Sequence, residues 1–194
     1  MDKNAVAEYF NSLAHDWDSS LIRNEHAIKI ILDYAGIKSG VSVLDVACGT
    51  GVLVGDYLKR GAAKVVGVDI SANMIDKAKA KFPFKEVTFL CADIESVTFD
   101  EKFDCCVVYN ALPHFADAKV LVRSLKENLK QGARLTIAHG MSKKEIDGMH
   151  KGSAKHVSVG LIDENELAQI MSEYFNVDKV VSDDEKYIVS ATKK

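Results

Sequence analysis

The sequence contains few prolines and no long apolar run. Only two of its 194 residues are proline, Pro83 and Pro113, and both fall in predicted loops, so no predicted helix or strand is interrupted. No apolar stretch approaches the roughly 20 residues that a membrane-spanning helix needs. The first ten residues also lack the basic and apolar regions of a secretory signal. We therefore expect a cytoplasmic protein that does not enter a membrane.

The sequence also lacks a strong excess of charge and any paired cysteine motif. A formal net charge of −3 argues against a protein whose main work is binding nucleic acid phosphates. The four cysteines form no C-x-x-C pair, and Cys105 and Cys106 would point to opposite faces of a strand, so they cannot share a metal on one face. We expect no metal site. We expect the cysteines to be small buried residues in a reducing compartment, except for Cys48, which lies in the loop predicted to contact a ligand.

Apolar runs alternate with helix-like segments along most of the chain, without internal repeats or linkers. Repeated strand, helix and strand units predict a parallel sheet with helices on both faces, within one domain of residues 1–194. The last two runs are joined by a short acidic turn and must be antiparallel. The prediction is an α/β fold with a Rossmann-like, seven-stranded, mostly parallel sheet and one antiparallel strand near the C-terminus. Predicted strands cover 42–46, 64–68, 87–91, 105–109, 134–138, 175–181 and 186–191, and predicted helices cover 3–15, 25–34, 52–60, 72–81, 117–130, 142–149 and 164–174.

The most informative segment is Val-Leu-Asp-Val-Ala-Cys-Gly-Thr-Gly at residues 43–51. An apolar strand with an acid, Asp45, runs into a glycine-containing turn and then into a helix, which is typical of a site for a nucleoside-bearing cofactor. The second and third strands end at two further acids, Asp69 and Asp93. Each could be only a helix cap or turn residue. Three acids at three consecutive strand ends favour a ligand site, because parallel strands place those ends at one edge of the sheet.

These motifs together resemble those of class I S-adenosylmethionine-dependent methyltransferases. Residues 43–51 are similar to the first motif of that family, 67–71 to the second, 91–94 to the acidic adenine-site motif and 103–115 to the fourth. The N-terminal residues 9–18 resemble the lid of small-molecule members, including the quinone-biosynthesis type. The resemblance spans about residues 40–140, with the motifs in order.

The resemblance implies a role for each matching position. Asp45 and the Ala47 and Gly49 backbones would hold the methionine end, Asp69 would bind the ribose hydroxyls, and Asp93 would read the adenine edge. Ala47 departs from the commonest pattern, which has glycine there. The implied cofactor-binding residues are Asp45, Ala47, Gly49, Gly51, Asp69, Ile70, Met74, Asp93, Ile94 and Asn110.

Histidines supply the candidates for the acceptor side, because their ordinary pKa lies near neutrality. His114 follows the fourth strand and His139 ends the fifth, so both are expected to be catalytic. His150, His156 and Trp17 are predicted to contact the substrate, beneath a lid of residues 1–36 and an insert at 139–162. The alternatives for the histidines are ordinary exposed loop positions or a metal site in which several of them converge. Trp17 could instead close over the methionine end of the cofactor or only anchor the N-terminal helix.

The function that these expectations predict is methyl transfer from S-adenosylmethionine to a small-molecule acceptor. A NAD-dependent oxidoreductase is the first alternative, although Val52 stands where the third glycine of a dinucleotide loop would fall. A protein that binds S-adenosylmethionine without transferring its methyl group is the second. The partner is expected to be a small methyl acceptor, with no nucleic acid and no membrane. The accepting atom and the oligomeric state stay open.

Overall fold

A computed structural model describes residues 1–149 and 153–194 of the chain. The strands of the described residues form a single seven-stranded sheet in the order β3-β2-β1-β4-β5-β7-β6. All neighbouring pairs are parallel except β5 with β7 and β6 with β7, so β7 is the antiparallel strand. This confirms the predicted fold class. The strands are β1 (Ser42–Val46), β2 (Lys64–Asp69), β3 (Val87–Cys91), β4 (Phe103–Tyr109), β5 (Leu129–His139), β6 (Phe175–Ser182) and β7 (Tyr187–Lys193).

Helices cover both faces of this sheet, and several begin at a side-chain cap. Ser71 accepts a hydrogen bond from the Met74 amide and Asn24 accepts one from the Ala27 amide, so each satisfies a free N–H of the helix that follows it. Among the described residues, no helix is long and apolar enough to cross a bilayer. The α-helices are α1 (Lys3–Leu13), α2 (Trp17–Ser20), α3 (Glu25–Tyr34), α4 (Val54–Lys59), α5 (Ala72–Lys81), α6 (Ala118–Glu127), α7 (Lys143–Met149) and α8 (Glu164–Ser172).

Several predictions differ from the structure. The helix predicted over 117–130 ends at Glu127, because the buried amide of Asn128 bonds to the Phe99 N–H and the Val97 carbonyl, and the chain then enters β5. The four-residue helix α2 was not predicted. Cys91, expected to be buried, is exposed because it ends the edge strand β3.

Strand order reverses between β1 and β4, since the chain passes from β1 outward to β3 and then returns to the other side of β1. In sheets of this kind the crevice beyond the carboxyl ends of the strands at that point receives the ligand. The N-terminal segment 1–24 packs over the same end, where α1 contacts α5 and the 3₁₀ turn Ser153–Val157.

Candidate active site

A cavity of about 550 Å³ opens at the carboxyl ends of the strands. The ends of β1, β2, β4 and β5 form its floor, and the N-terminal segment and α7 contribute to its walls. Twelve residues predicted for the site line this cavity, so one space joins the predicted cofactor and acceptor residues. They are Trp17, Asp45, Ala47, Gly49, Asp69, Ile70, Met74, Asp93, Ile94, Asn110, His114 and His139.

Two of the predicted site residues that the structure describes are not among those lining the cavity. Gly51 has a φ of +79°, and a Cβ atom there would lie 2.9 Å from the Phe82 ring, so this glycine serves the shape and packing of the turn. His156 is exposed and contacts the ring of Tyr9 edge-on, with centroids 5.5 Å apart. His150 lies outside the described residues.

Asp69 holds the glycine turn against the second strand. Its Oδ2 accepts a hydrogen bond from the Gly49 amide and its Oδ1 accepts one from the Ser71 amide, both at 2.8 Å. The residue is 9% exposed. Burial raises the pKa of Asp69, and the hydrogen bonds from Ser71 and Gly49 oppose that rise. The acid predicted to bind the ribose therefore also orients the loop predicted to hold the methionine end.

Asp45 carries an unsatisfied buried oxygen at the centre of the site. The Tyr57 hydroxyl donates to Oδ1 over 3.2 Å, whereas Oδ2 has no hydrogen-bond partner among the described residues. Burial is the main cause that raises the pKa of Asp45 to about 7, and the charge of Asp69 adds to it. A cationic group in the cavity would satisfy Oδ2 and favour the ionised form, so the site fits a ligand that carries an ammonium.

Two residues that are not glycine have positive φ angles at this edge, Ala47 at +53° and Asn110 at +54°. Asparagine tolerates that region, whereas alanine pays a steric cost there. Asn110 also accepts a hydrogen bond from the Gly140 amide at 2.9 Å, which ties the loop after β4 to the end of β5. Backbone strain of this kind concentrates at ligand sites.

The predicted adenine end contains a residue that the sequence reasoning missed. Lys3 Nζ lies 2.5 Å from Asp93 Oδ2 and 2.5 Å from Glu95 Oε2. Burial opposes ionisation of Asp93, but the hydrogen bond from Lys3 prevails and holds the pKa of Asp93 below its usual range. The carboxylate predicted to read the adenine edge is thus also an anchor for α1.

Other N-terminal residues of the cavity wall were also missed as individual contacts, namely Val6, Tyr9, Phe10, Leu13 and Leu21. The signal that could have found them is the helical spacing of Val6, Phe10 and Leu13, which places all three on one face of α1.

On the acceptor side, His114 has a fixed orientation. Its Nδ1 lies 2.7 Å from the Val157 carbonyl oxygen, which can only accept, so Nδ1 carries the proton. The Phe10 ring contacts the imidazole edge-on, with centroids 4.9 Å apart. His139 is 2% exposed at the end of β5, where its ring meets that of Tyr187. Three apolar side chains of the segment after β5 line the same cavity, namely Met141, Ile146 and Met149.

Comparison with known proteins assigns this arrangement to a family. Residues 43–132, which contain the glycine turn and the acids of the cavity, match the family described as methyltransferase domain. The chain belongs to the S-adenosylmethionine-dependent methyltransferases. The methyl donor of this family is S-adenosylmethionine, so the membership favours that cofactor over the nicotinamide cofactor of the oxidoreductase alternative.

Curated relatives of this methyltransferase act on different acceptors. Over 141 residues it is 29% identical to the malonyl-[acyl-carrier protein] O-methyltransferase of Acetivibrio thermocellus. That alignment covers 71% of this chain and 50% of the relative. Over 145 residues it is 33% identical to the ubiquinone biosynthesis O-methyltransferase of Coxiella burnetii, with 70% and 61% covered. The chain therefore spans about half to three fifths of the length of these relatives.

The fold has a close counterpart among solved structures. The magnesium protoporphyrin IX methyltransferase of Synechocystis PCC 6803, solved with bound S-adenosylhomocysteine, superposes on this methyltransferase with a TM-score of 0.77. The match covers 100% of both chains at 20% sequence identity. At that identity the likeness shows the shared fold.

Proposed function

We propose that this protein transfers the methyl group of S-adenosylmethionine to a small-molecule acceptor. The observation that carries the proposal is that a single cavity is lined both by the motif acids Asp45, Asp69 and Asp93 and by the histidines His114 and His139. A site that only stored the cofactor would have no need of these histidines and of the further apolar side chains that line the same cavity.

The motif residues are assigned to the cofactor. Asp69 accepts from the ribose hydroxyls, Asp93 and the Ile94 amide bind the adenine edge, and Ile70 and Met74 pack on its faces. Asp45 Oδ2 faces the methionine ammonium, which supplies the partner that this oxygen otherwise lacks among the described residues. The Ala47 and Gly49 backbones and Asn110 line the methionine end. When bound, the cofactor supplies a sulfonium methyl that is already activated, so the protein has mainly to align the acceptor and exclude water.

His114 is proposed as the general base. Because Nδ1 donates to the Val157 carbonyl, the neutral ring carries its basic lone pair on Nε2. An acceptor that must lose a proton at neutral pH, such as a phenol or thiol, needs such a base. His139, buried in the same cavity wall, is the second proposed catalytic residue.

The acceptor proposed here is small and partly apolar. Apolar side chains that line the cavity and are not assigned to the cofactor support this, namely Phe10, Phe115, Met141, Ile146 and Met149. The segment 1–36 is proposed as the lid and 139–162 as the insert that completes the pocket. His156 touches Tyr9 of α1, so its proposed contribution is to the docking of the lid on the insert.

The proposal is tested by following isotope-labelled methyl from S-adenosylmethionine into a panel of catechol, hydroquinone, thiophenol and aniline. Transfer to at least one acceptor is expected, with His114→Gln reducing kcat by roughly 10²- to 10⁴-fold and leaving cofactor affinity unchanged. Lys119→Gln, on the exposed surface of α6, is the matched control and should behave as the wild type. Tight cofactor binding with no transfer to any acceptor would favour the non-catalytic binding protein instead.

A further inference from the structure

The two edge strands of the sheet, β3 and β6, differ in how they are protected against further strand pairing. β6 carries the charged residues Asp178 and Lys179, and its pairing with β7 is irregular at this point. Charges and bulges on an edge strand discourage another strand from pairing with it. β3 reads Val-Thr-Phe-Leu-Cys, which contains no charge and no proline, and its pairing with β2 is regular. β3 therefore lacks the protection that β6 has.

The outer side of β3 faces solvent. Among the described residues, β3 is hydrogen-bonded to β2 alone. Thr88 and Cys91 are exposed, and so is the apolar side chain of Leu90, at 37%. Phe84, which precedes the strand, is 50% exposed. An uncharged, regular edge with exposed apolar side chains is a template on which another strand can pair.

The backbone groups of β3 alternate between β2 and solvent. The Glu86 carbonyl and the Ala92 amide both hydrogen-bond to β2. Because successive residues of a strand turn their backbone groups to opposite sides, Val87, Phe89 and Cys91 direct theirs away from the sheet. Phe89 is the central residue of β3, so the outward groups are arranged symmetrically about it.

A second copy of the chain complements this arrangement. We propose that two chains associate through β3, which pairs antiparallel with β3 of the other chain about a twofold axis at Phe89. The two Phe89 residues exchange both of their backbone hydrogen bonds. On each side the Cys91 amide donates to the Val87 carbonyl of the other chain, while the Val87 amide keeps its hydrogen bond to the Phe84 carbonyl. These bonds join the two sheets into one continuous sheet.

The side chains of β3 are self-complementary in this register. Thr88 lies opposite Leu90 of the other chain, and these two residues form the non-hydrogen-bonded type of pair, in which side chains approach most closely. Both copies of Leu90 then lie beside the axis, on the face of the sheet opposite the Phe89 ring. The association therefore buries the apolar side chain that β3 exposes in the single chain.

The residues that flank β3 fit the same register. Lys85 precedes the strand and Asp93 follows it, so antiparallel pairing places each opposite the other in the second chain. Glu86 lies opposite Ala92, and no like charges are paired directly across the axis. Backbone, side-chain and charge patterns thus all match a second copy of this chain, which makes the contact isologous.

Sedimentation equilibrium of the whole chain tests this proposal. The wild type should form a dimer as its concentration rises. Leu90→Lys should weaken that association by roughly 10-fold or more, because it removes the apolar contact and brings two ammonium groups together at the axis. Val180→Lys is the matched control, since Val180 is 41% exposed on the other edge strand, β6. It should associate as the wild type does.

Disulfide trapping tests the register. With Cys91→Ser in every chain, Thr88→Cys and Leu90→Cys proteins should form an intermolecular disulfide when they are mixed, because these positions lie opposite each other. Thr88→Cys mixed with Val180→Cys should form none. A wild type that stays monomeric would overturn the proposal, as would a dimer that Leu90→Lys leaves intact or one in which no disulfide joins positions 88 and 90.

Discussion

The Tyr57 hydroxyl donates a hydrogen bond to Oδ1 of Asp45 over 3.2 Å, and the other carboxylate oxygen is buried without a partner among the described residues. Tyr57 itself is fully buried in α4. The protein thus holds a carboxyl group where ionisation is disfavoured until a cation arrives. The buried carboxyl group therefore strengthens binding of the cofactor and lowers the stability of the ligand-free fold.

Asp45 should make the ligand-free protein less stable as the pH rises from about 4 to 7. Burial raises the pKa of Asp45 to about 7 in the folded state, whereas an unfolded aspartate titrates near 3.9. Between these values the folded protein binds the extra proton, so the free energy of unfolding falls with increasing pH. Urea unfolding of the wild type and Asp45→Asn at pH 5 and pH 8 measures this. The variant should gain stability relative to the wild type at pH 8.

Asp104 is the control for that experiment. Burial opposes its ionisation, but hydrogen bonds from Lys130 and Ser42 prevail and lower its pKa. The stability that Asp104 contributes is fully present above the unfolded pKa near 3.9 and is lost only as the pH falls through its folded pKa, so Asp104→Asn should lose the same free energy of unfolding at pH 5 and at pH 8. If Asp45→Asn likewise changes the free energy of unfolding by the same amount at both pH values, Asp45 is ionised in the ligand-free fold.

Asp69→Ala should weaken binding of S-adenosylhomocysteine by about 1–3 kcal/mol, because charged hydrogen bonds to the ribose are lost. It should also lower the free energy of unfolding, since the Gly49 and Ser71 amides both lose their acceptor. Asp104→Ala likewise removes hydrogen bonds, from Ser42 and Lys130 at the opposite end of the sheet. Calorimetry should find that Asp104→Ala binds S-adenosylhomocysteine with unchanged affinity. Unchanged affinity in Asp69→Ala would mean that the ribose lies elsewhere.

Ala47→Gly should stabilise the protein by up to about 1 kcal/mol, because alanine is strained at a φ of +53° and glycine is not. Thermal unfolding measures the change. Ala80→Gly, on the exposed face of α5, should instead lose about 1 kcal/mol, since glycine disfavours helices. If both variants lose the same amount, the turn does not impose strain on Ala47.

Lys81→Met should speed proteolytic removal of the N-terminal segment by roughly two- to fivefold, because it breaks the ion pair with Asp18 that holds α2. Lys79→Met, on the same helix and exposed, should cleave at the wild-type rate. Trypsin digestion followed by mass spectrometry gives both rates. S-adenosylhomocysteine should slow cleavage in all three proteins, and equal rates for the two variants would show that the pair does not hold the lid.

The sequence sufficed for those parts of the site that depend on local patterns. The apolar runs that end at Asp45, Asp69 and Asp93 indicated the strands, and parallel pairing then brought those acids to one edge. Lys3 escaped this reasoning, because its position depends on how the N-terminal segment docks on residues far along the chain. Lys3 meets Asp93, 90 residues away. The end of α6 was missed for a related reason, since Asn128 stops the helix by bonding to the loop before β4.

The most direct test of the account is calorimetric titration of the protein with S-adenosylhomocysteine and, separately, with NADH. The account predicts saturable binding of S-adenosylhomocysteine at one site per chain, weakened in Asp69→Ala, and no heat of binding with NADH. Binding of NADH without binding of S-adenosylhomocysteine would contradict it.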